Sequence, residues 1–430
     1  MLEYAKLQIG CLIVVCYIAF VYFSESKRTK HKYKYSFYDL ILMVTIATLI
    51  MDGGTAVLVN HLDIVPEWVL DFSHMLFYLC IDAFIFCIFL YLLEITEHFP
   101  EDKKGKINLF LPFVVNVLAV VLTVKDTEYI ENPLSNYSMG FAAVACYVMA
   151  FAYVALAFVT FVRRQRYIER HKRSAILVYM LTLVFTCIYQ ILVPESLVTS
   201  IAYTVIVIGM YVNQQNPALQ ELDHYHREMV MGFATLVEQR DDSTGGHIRR
   251  TSSYAELLAK ELQSQGYYKE VLTKDYIKNL TLAAPMHDVG KISVPDDILQ
   301  KPGKLTTDEF EVMKTHAAHG GEIILDTFGK LDNEEYMEMA YQVAHYHHEK
   351  WNGMGYPEGI KGEDIPLCAR IMAIADVFDA VSEKRCYRDA MPLEQCFVII
   401  QEGRGTHFDP TLVDVFMSIR QKVEAVHRNG

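Results

Sequence analysis

The residues with the most chemistry to offer are histidines and aspartates in the second half of the chain. Eleven of the sixteen histidines follow residue 212. Several stand in acidic company: His287-Asp288, His347-His348-Glu349, and Asp376 within Ala375-Asp376-Val377-Phe378-Asp379-Ala380. A lone histidine on a helix is ordinarily a surface or core group. Five or six histidines with two aspartates, recurring every ~30–40 residues, form a ligand set: neutral imidazole and carboxylate suit Fe, Mn or Zn, and no thiolate is clustered with them. A mixed set of this size is enough for two ions. Two ions can hold a bridging hydroxide and clamp both oxygens of an in-line phosphoryl displacement.

These ligands have to be positioned by helices. Residues 237–425 show periodic apolar segments broken by Gly and Pro, with no sustained alternation of the strand type. Ahead of them, Leu219, Leu222, His226, Met229, Phe233 and Leu236 recur at alternating three- and four-residue steps after the break at Asn216-Pro217. That heptad seam, spanning residues 213–236, reads either as a parallel homodimer stalk or as the first core helix of the next domain.

The first half is of another kind. Residues 1–212 carry 16 basic against 17 acidic residues, net −1, and residues 213–430 carry 23 against 35, net −12, making −13 in all. With 52% hydrophobic residues overall, this excludes a single soluble domain and a disordered chain. The acidic second half argues against nucleic acid as a partner. Seven apolar stretches, near 5–23, 38–59, 69–93, 107–124, 140–162, 174–193 and 197–212, each approach the ~20 residues that cross a bilayer. The expectation is an all-α chain: a seven-helix membrane region over 1–212, then a helical domain. Six of the nine cysteines lie in those apolar stretches as small buried hydrophobes, and no disulfide framework is expected.

Basic residues select an orientation. Lys27, Arg28, Lys30, Lys32 and Lys34 follow the first stretch, and Arg163, Arg164, Arg166, Arg170, Lys172 and Arg173 follow the fifth. The N-terminus is thus expected outside and the second half in the cytoplasm. Asp82 and Asp52 fall within stretches. Each reads either as part of a ligand or proton site or as an interhelical hydrogen bond.

The motifs of the second half resemble those of the HD-GYP family, a branch of the HD phosphohydrolases, over about residues 225–425. The resemblance rests on Glu238-Gln-Arg240-Asp241 through His247-Ile-Arg-Arg250, His287-Asp288-Val-Gly290-Lys291-Ile292, Lys301-Pro302-Gly303, His316-Ala-Ala-His-Gly320, His347-His348-Glu349-Lys-Trp351-Asn-Gly353-Met-Gly355-Tyr356-Pro357, Asp376-Val377-Phe378-Asp379-Ala380 and Phe408-Asp409-Pro410. It implies a phosphodiesterase that opens cyclic di-GMP to linear pGpG and often on to GMP, in a bacterial inner membrane. It also implies ligand roles: His247, His287, Asp288 and Asp376 around one ion, and His316, His347 and His348 around a second, with Asp288 bridging. The ions would be Fe or Mn. Lys291 resembles the lysine that touches the bound phosphate or hydroxide. Gly355 and Tyr356 lie on the loop that meets substrate, and Arg385 and Arg388 stand where phosphate-binding basic residues are found.

The chain departs from the pattern at four places. Ser243 replaces a Glu that can recruit a third metal, so two ions are expected. Met286 replaces Leu, Asn352 replaces Asp, and Cys386 replaces Pro. Glu349 reads as an acceptor that fixes an imidazole. Two other functions compete with cyclic di-GMP hydrolysis: a non-hydrolytic receptor, and an HD phosphohydrolase acting on another cyclic dinucleotide. Seven spans exceed what anchoring needs, which points to a sensed ligand of unnamed chemistry.

Overall fold

A computed structural model of the protein describes residues 2–28, 36–131, 136–193, 198–241, 246–329, 333–383 and 390–429. The chain divides into two compact units, Met1–Glu221 and Leu222–Gly430.

The first unit is built from α1 (Lys6–Arg28), α2 (Phe37–Val59), α3 (Glu67–Ile95), α4 (Lys103–Thr123), α5 (Phe141–Arg164), α6 (Arg170–Leu192) and α7 (Val198–Met210). Starts are fixed by local chemistry. Ser36 and Asp39 form a capping box on α2, and Asp102 accepts from the Gly105 N–H at the head of α4. Six of these helices are long and apolar enough to cross a membrane. The seventh expected helix is present but short. α7 has 13 residues, about 20 Å at the usual rise, and runs into a π-helical turn at Tyr211–Gln215.

The burial pattern is inverted relative to a water-soluble bundle. Tyr17, Phe20, Phe72, Leu122 and Phe185 point outward, while Thr45, Thr48, Asp52, His74, Asp82 and Asn116 are buried. An apolar exterior costs nothing in lipid, and polar groups there must find one another inside. They do. Asp82 Oδ2 accepts from Asn116 Nδ2 at 2.5 Å, joining α3 to α4, and Asp52 Oδ2 accepts from the Ser200 hydroxyl, joining α2 to α7. One feature is absent from the sequence-based expectation: a short antiparallel hairpin between α4 and α5. Its strands are β1 (Glu128–Ile130) and β2 (Tyr137–Met139), with Tyr129 opposite Ser138.

α8 (Pro217–Glu238) is helical as the heptad pattern requires. Leu222, Met229, Phe233 and Leu236 are exposed, whereas Val230 and Ala234 are buried and Val230 joins the core of the second unit. The helix therefore has two apolar faces, and only one is used by its own domain.

The rest of the second unit comprises α9 (His247–Gln265), α10 (Lys274–Ala283), α11 (Asp296–Leu299), α12 (Thr307–Phe328), α13 (Glu334–Tyr346), α14 (Leu367–Ser382), α15 (Leu393–Glu402), α16 (Pro410–Ser418) and α17 (Arg420–Asn429). α9 starts after Gly246 and stops at Gly266, both at positive φ. α12 opens on a capping box of Thr306 and Glu309. The core is aromatic. Tyr254 of α9, Phe397 of α15 and Phe416 of α16 surround Phe378 of α14 at ring-centre distances of 5.3, 4.9 and 5.2 Å. Each such ring contributes ~1.5–3 kcal/mol by leaving water. This cluster clamps α9 and α14 together, so His247 and Arg250 on α9 face Asp376 and Asp379 on α14.

Candidate metal centre

Each ligand side chain is placed by a different local device. His247 is the first residue of α9, and Asp376 lies within α14. His287 and Asp288 sit between two 3-10 turns, Ala284–Met286 and Val289–Ser293. His316 is within α12, and His347 and His348 follow the last turn of α13. Gly290 lets α12 lie against the His-Asp turn, because a Cβ there would overlap the His316 carbonyl oxygen and approach the Gly320 nitrogen to 2.5 Å.

The structure brings all seven expected ligands together as two groups. His247, His287 and Asp376 offer atoms within 4.8 Å of one another, as do Asp288, His316, His347 and His348. Asp288 faces both groups. Its Oδ2 is 3.3 Å from His287 Nε2, and its Oδ1 is 3.4 Å from His316 Nε2 and 3.7 Å from His347 Nε2. In the first group His247 Nε2 lies 3.4 Å from His287 Nε2 and 3.7 Å from Asp376 Oδ1.

The tautomers are set from behind. Nδ1 of His287 lies 2.9 Å from the Ala284 carbonyl, that of His316 2.7 Å from the Met313 carbonyl, and that of His347 2.9 Å from the Ala344 carbonyl. Each Nδ1 therefore carries a proton and donates it, and Nε2 of His316 and His347 is left with a lone pair aimed into the site. The Nε2 atoms of His316 and His347 are buried and have no hydrogen-bond partner. Buried acceptors without donors are costly unless a cation meets them. The donor set, imidazole nitrogen and carboxylate oxygen with no thiolate, fits divalent transition ions.

The electrostatics agree. Burial lowers His316 to about 4 and drives His348 down, so both rings are neutral at ordinary pH. Burial also works against a charged His287, but Asp288 and Asp376 outweigh it and hold that ring up at about 9. A cation between these groups would take over the work of that proton, so binding releases it. Lys291 Nζ is 2.8 Å from Asp288 Oδ2, placing the expected lysine at the centre.

The Gly355-Tyr356 loop reaches the same place. The Tyr356 ring lies 4.8 Å from that of His348 and 6.3 Å from that of His316, and its N–H donates to the His348 carbonyl. Gly355 passes so close to Glu349, whose Cα would be 2.5 Å from an added Cβ, that a side chain does not fit. Glu349 has a different task from the one its position suggested. It fixes no imidazole. Its Oε1 accepts the N–H groups of Glu358 at 2.7 Å and Gly359 at 2.9 Å, tying down the far end of this loop. Asn352 accepts the Met354 N–H at 3.0 Å, a turn contact that amide and carboxylate make equally well. Met286 is buried in the core. Arg385 and Arg388, with Ser243 and Cys386, lie outside the described residues.

Asp379 is the functional residue that sequence reasoning passed over. It is 1% exposed, its Oδ2 is 2.8 Å from His247 Nδ1, and Arg250 Nε donates to its Oδ1 at 2.6 Å. It orients a ligand that no backbone carbonyl reaches. The signal was there as spacing: His247 and Arg250, like Asp376 and Asp379, are three residues apart, one helical face each.

Residues 233–412 match the family described as HD domain. Among curated proteins, a "Probable cyclic di-GMP phosphodiesterase" of Vibrio cholerae is 46% identical over 199 residues, 46% of this chain and 45% of that protein. A "Cyclic di-GMP phosphodiesterase" of the same organism is 40% identical over 223 residues, 51% of this chain and 45% of that protein. A "3'3'-cGAMP-specific phosphodiesterase 2", also from Vibrio cholerae, is 41% identical over 197 residues, 46% of this chain and 35% of that protein. The chain thus spans less than half the length of these relatives. Residues 233–412, which match the HD domain family, include every residue of the two ligand groups, and apolar helices precede them.

Proposed function

We propose that the protein is a membrane-bound phosphodiesterase that opens cyclic di-GMP to pGpG, and onward to GMP, at a two-ion centre. The observation that supports this most is Asp288, whose two carboxylate oxygens face two separate groups of ligands, with Lys291 and Tyr356 beside them. Two divalent ions held there would polarise a phosphodiester and bring water towards a pKa of ~7; Fe or Mn is what the family resemblance implies among the ions that these donors suit.

The chain's own residues supply the rest. His247, His287 and Asp376 would hold one ion and His316, His347 and His348 the other, with Asp288 facing both groups. Lys291 offers a positive charge beside Asp288, where a phosphate oxygen or the proton of attacking water can be met. Tyr356 places an apolar ring and a neutral phenol at the mouth, its titration pushed up by burial and by Asp288 and Asp376. A guanine base can stack on such a ring. Arg385 and Arg388 are the proposed phosphate contacts.

On this reading the domain lies on the cytoplasmic side of a bacterial inner membrane with the N-terminus outside, an orientation that the basic loops support. The exposed seam of α8 pairs with a second copy and carries the signal between units. A second reading keeps the site and changes the substrate to 3'3'-cGAMP; its support is the relative of that printed specificity at 41% identity. The test is turnover of both dinucleotides by the full chain in nanodiscs under anaerobic conditions. Faster loss of cyclic di-GMP supports the first reading and faster loss of 3'3'-cGAMP the second. Binding of either without product, in metal-loaded protein, would make the domain a receptor.

A further inference from the structure

The first unit encloses a cavity of about 130 Å³ that the phosphodiesterase chemistry does not use. A dry protein cavity of ~150 Å³ is enough to take up benzene, which sets the size of an occupant at one ring or a chain of a few carbons. Its wall is drawn from the end of α2, the start of α3, β2, the start of α5, the end of α6 and the start of α7. All of these lie at the end of the bundle away from Met210, where the chain leaves for α8.

The chemistry of the wall is one-sided. Phe77, Tyr78, Tyr137, Tyr147 and Tyr203 supply aromatic rings. Asp52 supplies a carboxyl group that is 5% exposed, with Oδ2 receiving the Ser200 hydroxyl. Among the described residues no lysine or arginine lines the cavity. A second acid stands directly behind the wall. Cys146, which lines the cavity, has its Sγ 3.5 Å from Asp82 Oδ2, and Asp82 Oδ1 is buried with no hydrogen-bond partner. His74 leans the same way, because its Nδ1 is committed to the Leu70 carbonyl at 2.9 Å and leaves an acceptor at Nε2. Buried carboxyl groups in a low dielectric call for a positive partner, and aromatic faces attract organic cations.

We infer that this cavity is a binding site for a small organic amine, carried as its ammonium form, with Asp52 as the counter-ion and the aromatic rings as the cage. The site lies towards the outer end of the bundle if the proposed orientation holds, and its regulatory meaning rests on the proposed phosphodiesterase; the binding itself rests on neither. α7, which carries Thr199 and Tyr203 of the wall, is the last helix before the chain runs on to α8.

The experiment is calorimetric titration of the full chain in nanodiscs with benzylamine, against benzyl alcohol and benzoate as neutral and anionic shapes of the same size. Saturable binding of benzylamine, with the alcohol at least about 10-fold weaker and benzoate silent, is expected. D52N should weaken benzylamine by about 30-fold or more. A143L, which fills the cavity from the start of α5, should abolish binding. No saturable binding of benzylamine to the wild-type chain would overturn the proposal, as would equal affinity for benzyl alcohol or a D52N variant that binds unchanged. If D52N fails to fold, the three-ligand comparison and A143L still decide. Dinucleotide turnover, read separately, reports on the catalytic reading alone.

Discussion

Asp379 holds His247 by one nitrogen and Arg250 by two, from a position with almost no access to water. Its carboxyl group is opposed by burial, but the hydrogen bonds from His247 and Arg250 win and hold it below the usual range. A folded-state value below the unfolded ~3.9 means a stabilising contribution that is complete above that pH and disappears as pH falls through the folded value. D379N is therefore expected to lose metal affinity by about 10- to 100-fold, because the imidazole is no longer held as a donor at Nδ1. It is also expected to lose about 3–5 kcal/mol by stranding a buried guanidinium. Metal titration and urea melts at pH 7 check both. Between pH 5 and pH 2 the wild-type chain should lose stability towards the variant's level; a constant gap across that range would contradict the assignment. Residue identity made seven candidate ligands legible in the sequence through their motifs. The partner that aims His247 was not, since an acid that orients a ring from behind is defined by what it touches. Glu349 shows the converse: adjacency to two histidines suggested an imidazole contact, and folding turned its side chain to two backbone N–H groups instead.

At the scale of elements, α12 lies in tight contact with the turn that carries His287 and Asp288. Gly290 makes it possible. G290A must push α12 away and with it His316, one of the ligands whose Nε2 faces Asp288. The expected outcome is a loss of ~2–4 kcal/mol and more than a tenfold fall in turnover. Retained turnover with unchanged melting would show that the contact is slack. α8 is the other element with a consequence. The heptad spacing announced a helix, and its reading as a core helix holds for Val230, which joins the domain core, with Ala234 also buried; Leu222, Met229, Phe233 and Leu236 remain uncovered, and their pairing with a second copy is a proposal. Periodicity alone could not divide one helix between two faces. L222A combined with M229A should convert dimers in nanodiscs to monomers and leave unfolding of the catalytic unit within ~0.5 kcal/mol. Mass photometry reads the first and urea melts the second.

For the whole molecule, composition already separated an apolar half from an acidic one, and the two compact units follow that division to within about ten residues of the expected end of the last span. What composition could not show is how the membrane unit disposes of its polar groups. Asp52 with Ser200 and Asp82 with Asn116 are pairings across 148 and 34 residues of chain. The cavity is assembled from six elements, none of which marks it alone. As described, the seventh helix stops at Met210, short of the end of its apolar stretch, where the chain widens into a π turn before Pro217.

The central claim is that two ions, bridged by Asp288, carry out hydrolysis of cyclic di-GMP. The direct test is metal content and turnover measured on one anaerobic preparation of the full chain in nanodiscs, wild type beside H287A/D288A. The account predicts two Fe or Mn per wild-type chain with linear pGpG formed, and loss of both metal and product in the double variant. Product at wild-type rate from the double variant, or two bound ions with cyclic di-GMP left intact, would contradict it.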